Sequence, residues 1–596
     1  MLLSSLINSA GLNRLKASFP SCRHLIFLLI TLQVTLVNAF EFNAKGIRGS
    51  VDTTTSIGFL WRTQARSPAL YDINNGGTGQ NMINSDDGDL NYNTGLISAV
   101  AKATHDIELD YRNYGAFFRA SYYYDPILAH KSNLSDIAKK RLARNFRFLD
   151  AYAFGHFKLS HREISVRAGN QVVNWGESTF IGNGINVVNP VDVSKIRIPG
   201  SEIKEALIPT PMVWVSTDLT DNLSIETMYL FGFTHVRLEP RGAYFSTNDV
   251  LSPGSDHLIA GFGVANEAGN IPGQTTFPNN VAIPDGFFII PRASDHLASD
   301  LGQGGLVLRW YAEPLNNTEF GLYLLNYHSR LPLVSFVAGT NPNSARYFVE
   351  YPENIHLLGL GFNTLVNTGG IALQGEFSYR DNLPLQIEFA EVAMAATQTK
   401  ETTDGGFASQ LGQFNPGEVV QGYKRLRVGQ YQLTATKSFG RSNPFFASTW
   451  AMVAEVGATQ VYNMPNVNTL RFEAPGTNLP ARSDINVAGH SISANKYSYA
   501  TDFSWGYRVL SRATYNNAIG AVSLSPRVIF THDVSGTSPG PGGNFIEGRM
   551  SGTLAVSLAY QETSSMDLSY TRYFGAAGRN YLADRDFVSL NAKYGF

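Results

Sequence analysis

Charged residues, cysteine and long apolar runs are all scarce in this chain, and each scarcity excludes a class of protein. Charged side chains make up 16% of the 596 residues, whereas ordinary soluble domains have about 25%. The single cysteine, Cys22, leaves no disulfide framework and no cysteine-based metal site to the rest of the chain. After residue 39 no stretch approaches about 18 consecutive apolar residues, which excludes a helical membrane protein. The formal net charge of −2 gives no reason to expect a nucleic-acid partner.

The N-terminal region has the features of a secretory signal peptide. Basic residues at positions 14, 16 and 23 precede an apolar run over 25–37, and that run is too short for a bilayer span of about 20 residues. The tripeptide Val37-Asn38-Ala39 is a cleavage site of the small-residue type. We therefore predict a signal peptide over residues 1–39, with a retained N-terminal anchor as the alternative.

The remaining chain shows an alternation of residues with a period of two. At the C-terminus, Val588, Leu590, Ala592, Tyr594 and Phe596 alternate with Ser589, Asn591, Lys593 and Gly595. A soluble sheet is able to show this pattern, but a closed barrel with lipid outside and water inside requires it on every strand. The aromatic ending resembles the C-terminal signal of bacterial outer-membrane barrels. Tyr594 and Phe596 are accordingly predicted to be recognised by the barrel assembly machinery.

The same alternation covers most of residues 40–596 and is interrupted by connections of two lengths. Short turns are predicted near 111–114, 160–162, 220–222, 314–317, 367–370, 441–444, 516–517 and 562–565. Long connections are predicted at about 65–93, 126–147, 176–210, 235–301, 331–354, 382–426, 462–498, 532–548 and 575–586. Short periplasmic turns with long external loops are typical of outer-membrane barrels. Counting hairpins predicts about 18 strands, within a range of about 14 to 18, with both termini on the periplasmic side.

These observations predict an all-β fold, a transmembrane antiparallel β-barrel over residues 40–596. Lipid offers no hydrogen-bond partners, so a sheet in the bilayer must leave no edge strand. Aromatic residues cluster near the predicted strand ends, as at 122–124 and 310–311, where rings meet the membrane interfaces. The predicted location is the outer membrane of a Gram-negative bacterium, with outer-membrane lipid against the apolar face. A soluble β-sandwich is the alternative, and it is disfavoured because so many strands have one polar face.

Polar residues on the predicted inner face are the candidates for solute selection. A barrel of about 16–18 strands leaves an aqueous lumen, and opposed charges on its wall select among solutes. The predicted pore-lining residues are Arg167, Gln171, Glu226, Arg309, Glu313, Glu319, Gln374, Glu376, Arg380, Arg508, Arg512, Arg527 and Lys593. For each of them the alternative is a paired, structural charge of the wall.

Residues 176–210 form the most unusual segment, because they are charged, rich in proline and glycine, and lack the two-residue period. A segment this long without regular structure is usually functional or disordered, and its many apolar residues argue against disorder. We predict that it folds into the lumen as a constriction or plug. The charged residues predicted to contact wall charges are Glu177, Asp192, Lys195, Arg197, Glu202, Lys204 and Glu205. The alternative is a packed external loop that caps the barrel.

Two weaker patterns are not taken as sites. Residues 86–93, DDGDLNYN, place oxygen ligands at a spacing that would suit Ca²⁺, but the later glutamate of an EF-hand loop is missing. A solvated external turn is therefore favoured there. The nucleophile pattern G-x-S-x-G at 536–540 lies in a Gly/Pro loop, whereas that motif needs a strand-turn-helix elbow. No metal and no cofactor is expected.

Several long motifs resemble one known family. They are DDGDLNYNTG at 86–95, GGLVLRWYAEPLNNTEFGLYLLNYHSRLP at 304–332 and IALQGEFSYRDNLPLQ at 371–386, together with the 176–210 segment and the last strand. The sequence resembles an uncharacterised family of proteobacterial outer-membrane proteins. The resemblance implies a large porin-like outer-membrane β-barrel, encoded near a periplasmic or lipoprotein partner and near transport or lipid-catabolic genes. It implies no substrate and no catalytic residue.

Two functions from different classes are consistent with these observations. The first is an outer-membrane channel or transporter for small organic molecules, including hydrophobic ones. The second is a non-conducting outer-membrane scaffold that docks a periplasmic or lipoprotein partner in lipid or envelope traffic. An enzyme is not expected, because the histidines lie on separate predicted strands and turns, and no nucleophile, base and orienting group converge.

Overall fold

The fold is a closed barrel of 18 antiparallel strands. The structure is a computed structural model that describes residues 40–79, 82–260, 288–340, 344–366, 369–397, 409–474, 485–487, 490–492, 499–561 and 563–596. The predicted signal peptide at 1–39 lies outside the described residues. The predicted count of about 18 strands is confirmed.

The barrel strands follow one another around the wall in chain order. They are β2 (Ile47–Arg62), β3 (Gly95–Tyr111), β4 (Tyr114–Tyr124), β5 (Arg144–Leu159), β6 (Arg162–Gln171), β7 (Thr210–Asp218), β8 (Leu223–Leu230), β11 (Gln303–Ala312), β12 (Thr318–Tyr327), β15 (Ile355–Val366), β16 (Ile371–Gln386), β18 (Tyr423–Phe439), β19 (Thr449–Tyr462), β22 (Phe503–Ile519), β23 (Val522–Ser535), β24 (Arg549–Tyr560), β25 (Ser564–Gly575) and β26 (Phe587–Gly595). Each pairs with the next, and β26 pairs with β2 to close the ring. Closure leaves no row of backbone donors and acceptors facing lipid.

Strand β1 (Phe40–Ala44) lies end to end with β26 in the wall. Both pair with β2, β1 against Ile47–Val51 and β26 against Thr54–Arg62. Thr53 lies between them and exchanges two backbone hydrogen bonds with Phe596, of 2.7 and 2.9 Å. The rings of Tyr594 and Phe596 have centroids 5.5 Å apart, and their recognition by the assembly machinery stays a prediction.

One predicted turn is wrong. Asn516-Asn517 lies within β22, and the turn is formed by Gly520 and Ala521. Asn517 has a φ of 55°, and the pairing of β22 with β23 is irregular between Tyr515 and Ile519. The asparagine pair therefore forms an irregularity within the strand. Asparagine tolerates a positive φ, and both a strand irregularity and a turn require this.

The long connections carry the remaining elements. The accessory strands are β9 (His257–Ala260), β10 (Phe288–Pro291), β13 (Leu333–Val337), β14 (Arg346–Glu350), β17 (Val419–Val420), β20 (Ile485–Val487) and β21 (His490–Ile492). The helices are α1 (Asp87–Leu90), α2 (Pro126–Ala129), α3 (Asp136–Leu142), α4 (Val193–Ile196), α5 (Ile203–Ala206) and α6 (Phe389–Ala396). Single 3-10 turns occur at Pro68–Leu70, Ile73–Asn75 and Glu313–Leu315. No helix in these ranges is long and apolar enough to cross a membrane.

The two faces of the wall differ in polarity along the middle of each strand. On β24, Leu554 is 60% exposed and Val556 is 40% exposed, while Ala555 between them is buried. Leu360 on β15 and Leu568 on β25 are about half exposed in the same way. A continuous apolar outer face of this kind contacts lipid. The polar side chains of the same strands therefore face the lumen.

The acidic run at 86–93 is not the solvated turn that the sequence favoured. Asp86 and Asp89 are fully buried. Asp89 lies 2.7 Å from Arg62 and 3.3 Å from Arg585, and Asp584 lies within 3.2 Å of both arginines. This cluster of two arginines and two aspartates joins the 63–94 loop to β2 and to the 576–586 loop. Asp584 and Arg585 lie some 500 residues away in the chain, so no local sequence pattern predicts that Asp89 is buried.

A second buried acidic group lies beneath the loops over β16, β18 and β19. Glu473 accepts a hydrogen bond of 2.8 Å from the backbone of Phe389, the first residue of α6. Glu388 accepts one of 3.1 Å from the backbone of Glu391, which itself pairs with Arg471. Burial raises the pKa of Glu473 to about 8 and that of Glu388 well above its usual range. Glu473 is therefore protonated when these loops are closed at neutral pH.

We expect α6 to open more readily as the pH rises from about 5 to about 8. When α6 is packed in place, Glu473 holds a proton, and local unfolding of α6 exposes Glu473 and releases that proton. The equilibrium constant for local unfolding therefore rises by up to about tenfold for each pH unit in this window. Hydrogen exchange of the α6 amides, corrected for intrinsic rates, measures this. Glu473→Gln should reduce the dependence and the exposed Glu418→Gln should not; equal pH dependence in all three proteins would contradict the assignment.

Candidate functional site

The candidate site is the inner face of the barrel together with residues 172–209, which connect β6 to β7 and are called the 172–209 segment below. Apart from the single turns α4 and α5 the segment is irregular. Its path depends on Gly176, with a φ of 94°, and Asn183, with a φ of 62°. Both positions need the left-handed region, which glycine and asparagine tolerate. The segment contacts wall residues on two separate sides of the barrel.

Two glutamates of the wall hold the first half of the segment. Glu376 on β16 accepts hydrogen bonds of 2.6 to 3.1 Å from the backbone N–H groups of Glu177, Ser178 and Ile185. Glu455 on β19 accepts bonds of 2.6 to 2.8 Å from those of Thr179, Phe180 and Ile181. Hydrogen bonds to a charged acceptor contribute about 1.5–3 kcal/mol each. Six such bonds fix the main chain of 177–185 to the wall.

Neighbouring wall residues complete this contact. Trp175 donates its indole N–H to Glu226 on β8 at 2.8 Å, and Arg309 on β11 bridges Glu226 and Glu319 at 3.0 and 2.9 Å. Gln374 donates to the carbonyl of Glu177 at 2.8 Å, and Arg380 donates to the carbonyl of Gly184. At Gly184 a Cβ atom would lie 1.7 Å from a carboxylate oxygen of Glu376, so only glycine allows the approach.

Side-chain ion pairs hold the second half of the segment on the opposite side. Asp192 pairs with Arg147 on β5 at 3.2 Å, Lys204 with Asp106 on β3 at 3.3 Å, and Glu202 with Lys593 on β26 at 3.1 Å. Glu205 pairs with Lys102 and accepts a bond of 2.7 Å from Thr104. Lys195 donates to Tyr123, and Arg197 donates to the carbonyl of Phe245 at 3.2 Å. The segment therefore contacts wall strands between β8 and β19 on one side of the barrel, and β26 and β3 to β5 on the other.

The structure assigns the other predicted wall residues to different environments. Arg167 lies over the rings of Tyr152 and Trp214, and Gln171 is buried and donates to the carbonyl of Met212. Glu313 does not lie on the strand but in the 3-10 turn after β11, because Pro314 ends the strand pairing there. Glu177 was expected to act through its carboxylate, yet its backbone N–H makes the bond to Glu376.

Glu455 and Lys102 contact the 172–209 segment, but the sequence did not predict either of them as a site residue. Glu455 lies in TWAMVAEVGATQVY, and it is the acidic residue of an otherwise apolar and small-residue strand. A buried carboxylate there needs donors from elsewhere in the chain. That mismatch between strand and residue is the signal that would have found it.

The strands β22 to β25 form a sector of the wall to which the segment is not bonded. Among the described residues, no hydrogen bond or ion pair joins 172–209 to these four strands. The segment does bond to the loop between β23 and β24, where Asn183 donates to the carbonyl of Gly542 at 2.8 Å and Asn544 donates to the carbonyl of Gly182 at 2.9 Å. Arg508 lies directly across from Glu455 in the sheet, so its side chain is on the same inner face. Arg508 and Arg549 share Asp533, at 2.6 and 2.7 Å, and Arg527 pairs with Asp567 at 2.9 Å.

Arg512 is the fourth arginine on the inner face of this sector. It lies across from Arg527, is exposed, and donates only to Ser525 at 3.3 Å among the described residues. Arg572 on β25 has the register of the outward-facing Leu554 and is not counted. Four guanidinium groups and two carboxylates leave the inner face of this sector with an excess positive charge of two.

A cavity of about 280 Å³ lies between the segment and the external loops. Apolar groups from Val187, Val236, Ile355 and Leu383 line it, together with Arg330 and Arg380 and with uncharged polar residues such as Asn186 and Asn189. Such a mixed lining suits a small molecule that has both an apolar body and polar groups.

One family model matches almost the whole chain. The model of a family described as protein of unknown function (DUF1302) matches residues 22–596. The chain belongs to this family. No curated protein matches it.

The chain is also similar to several solved structures. OccAB4 of Acinetobacter baumannii has 11% sequence identity and a TM-score of 0.40, with 92% of this chain and 98% of that chain covered. OccK2 (OpdF) of Pseudomonas aeruginosa, in complex with glucuronate, has 9% identity and a TM-score of 0.37 at the same coverage. A BenF-like porin from Pseudomonas fluorescens Pf-5 has 8% identity and a TM-score of 0.40, again at 92% and 98%. These likenesses are remote.

The location follows from the fold of this DUF1302 protein itself. A closed antiparallel barrel with an apolar outer face and a polar inner face is the architecture of Gram-negative outer-membrane proteins. The protein is a porin-like outer-membrane β-barrel.

Gly58→Val should loosen the second half of the segment. A Cβ atom at Gly58 on β2 would lie 2.5 Å from Cβ and 2.8 Å from the carbonyl oxygen of Pro199, so the segment must move away. We expect a loss of about 1–3 kcal/mol in stability and faster amide exchange over 193–206. Gly552→Val is the control, because nothing lies within 4 Å of its Cβ position; equal effects of the two substitutions would contradict the contact.

Proposed function

We propose that this protein is an outer-membrane channel for small organic molecules, and that the 172–209 segment is its constriction. The observation that carries the proposal is the pair of glutamates, Glu376 and Glu455, which bind six backbone N–H groups of a segment without regular structure. A loop that only capped the barrel would not need wall carboxylates to fix its main chain across the lumen.

The path of the solute runs along the sector of the wall to which the segment is not bonded. That sector consists of β22 to β25, and its excess positive charge favours anions over cations. Arg512 is the part of it most open to a solute, since it has no carboxylate partner among the described residues. We therefore propose small organic anions as the preferred solutes.

The cavity on the external side of the segment is the proposed entry site. Its apolar lining accommodates the hydrocarbon part of a solute, and Arg380 supplies a positive charge. The proposed substrate class is accordingly an organic acid with an apolar body. This proposal narrows the wider class of small organic and hydrophobic molecules.

Conductance of the purified protein in planar bilayers tests the constriction. Glu376→Gln together with Glu455→Gln weakens the six bonds, and we expect the mean conductance to rise several-fold. Glu163→Gln, which alters a half-exposed glutamate near the β5–β6 turn, is the control and should leave it unchanged. Unchanged conductance in the double variant would show that the segment does not limit the path.

Reversal potentials in a KCl gradient test the cationic sector. The wild-type protein should prefer chloride, and Arg512→Glu should abolish that preference because it removes the excess charge of two. Arg162→Glu, at an exposed turn, should have no such effect. A cation preference in the wild-type protein would contradict the proposed substrate class.

The second candidate is the non-conducting scaffold that docks a periplasmic or lipoprotein partner. It is distinguished by the same bilayer measurement. A protein that conducts neither as purified nor after deletion of residues 176–210 would favour the scaffold over the channel.

A further inference from the structure

Two external loops meet over the barrel at a group of three aspartates. Asp86 and Asp87 lie in the 63–94 loop, and Asp249 lies in the 231–302 loop. One carboxylate oxygen from each of the three lies within 4.8 Å of those from the other two. This group takes no part in the wall or in the 172–209 segment.

Two of these carboxylates each have a buried oxygen without a hydrogen-bond partner. Asp86 is fully buried and Asp249 is 3% exposed, and Oδ1 of each has no donor among the described residues. Their other oxygens are held in place. Oδ2 of Asp86 accepts bonds of 2.7 Å from the backbone of Asp72 and 3.1 Å from Asn75, and Oδ2 of Asp249 accepts one of 3.2 Å from the backbone of Asp87.

The charge of the group is not balanced by protein cations. Arg241 pairs with Asp87, while the nearby arginines Arg62 and Arg585 bind Asp89 and Asp584 instead. Three carboxylates thus face one guanidinium group. An unpaired buried carboxylate is costly unless a cation binds it.

We propose that Asp86, Asp87 and Asp249 form a calcium site that joins the two external loops. Calcium binds carboxylate oxygens at about 2.3–2.6 Å, so oxygens that lie within 4.8 Å of one another are able to share one ion. The donors are all oxygen, which suits a hard cation and not zinc or copper. Three carboxylates provide three to six of the about six to eight oxygens that calcium takes, and water provides the rest.

The ion would also act on the constriction through the 231–302 loop. Asp249 and Phe245 lie four residues apart, and the carbonyl of Phe245 accepts the bond from Arg197 of the 172–209 segment. The backbone of Asp249 donates to the carbonyl of Asn84 at 2.8 Å, so the two loops already touch at this point. Calcium therefore holds in place the loop that covers the segment. The calcium site does not depend on the proposed channel function.

Equilibrium dialysis with radioactive calcium, on protein refolded into detergent free of lipopolysaccharide, tests the site. We expect one ion per chain with a Kd of about 10⁻⁴ to 10⁻³ M, as in extracellular calcium modules. Asp86→Asn and Asp249→Asn should each weaken binding at least tenfold. Asp256→Asn is the control, because this residue lies in the same loop with a side chain that is 82% exposed, and it should bind as the wild type does.

Thermal unfolding provides a second readout that does not depend on the variants. Calcium should raise the Tm of the wild-type protein and chelation should lower it, and equal concentrations of Mg²⁺ should have the smaller effect. The absence of saturable calcium binding to the wild-type protein overturns the proposal. So does retention of wild-type affinity in Asp86→Asn and Asp249→Asn, or displacement of calcium by an equal concentration of Mg²⁺.

Discussion

The requirement that lipid must not face an unpaired backbone group determines most of this structure. Eighteen strands satisfy it by pairing each with its neighbour and β26 with β2. A ring of this size is too wide for its own side chains to fill. Closure of the barrel therefore satisfies the backbone on the lipid side but also encloses a lumen. The 172–209 segment and the long external loops line that lumen.

The interior shows two ways of holding a segment in a polar lumen. On the β16–β19 side, wall carboxylates accept bonds from the main chain, and on the β26–β5 side, side chains of opposite charge pair with one another. The first arrangement is insensitive to the side chains of the segment and requires a close approach, which Gly176 and Gly184 allow. The second resembles ordinary ion pairing, which water and salt weaken where it is exposed. The two ends of the segment are therefore attached by different kinds of interaction.

The sequence predicted the barrel well because alternation is a local property. Strand number, short turns and long loops all follow from the two-residue period and from turn residues, and the exception, Asn516-Asn517, is a pair that fits a strand irregularity as well as a turn. The contacts within the lumen and loops were less predictable. Glu376 binds residues some 200 positions earlier, and Asp89 binds Arg585 almost 500 positions later. No local sequence pattern predicts such pairs. The sequence around Asp86 therefore predicts a solvated turn although this aspartate is buried.

Because the first half of the 172–209 segment is bound through its main chain, its attachment to the wall and the nature of its side chains are separate properties. Glu376 and Glu455 bind amide groups that every residue except proline supplies, so these six bonds do not themselves depend on the side chains of 177–181. A substitution at an exposed position such as Phe180 would therefore change the lining of the lumen while the two glutamates and the glycines beside them kept the segment in place.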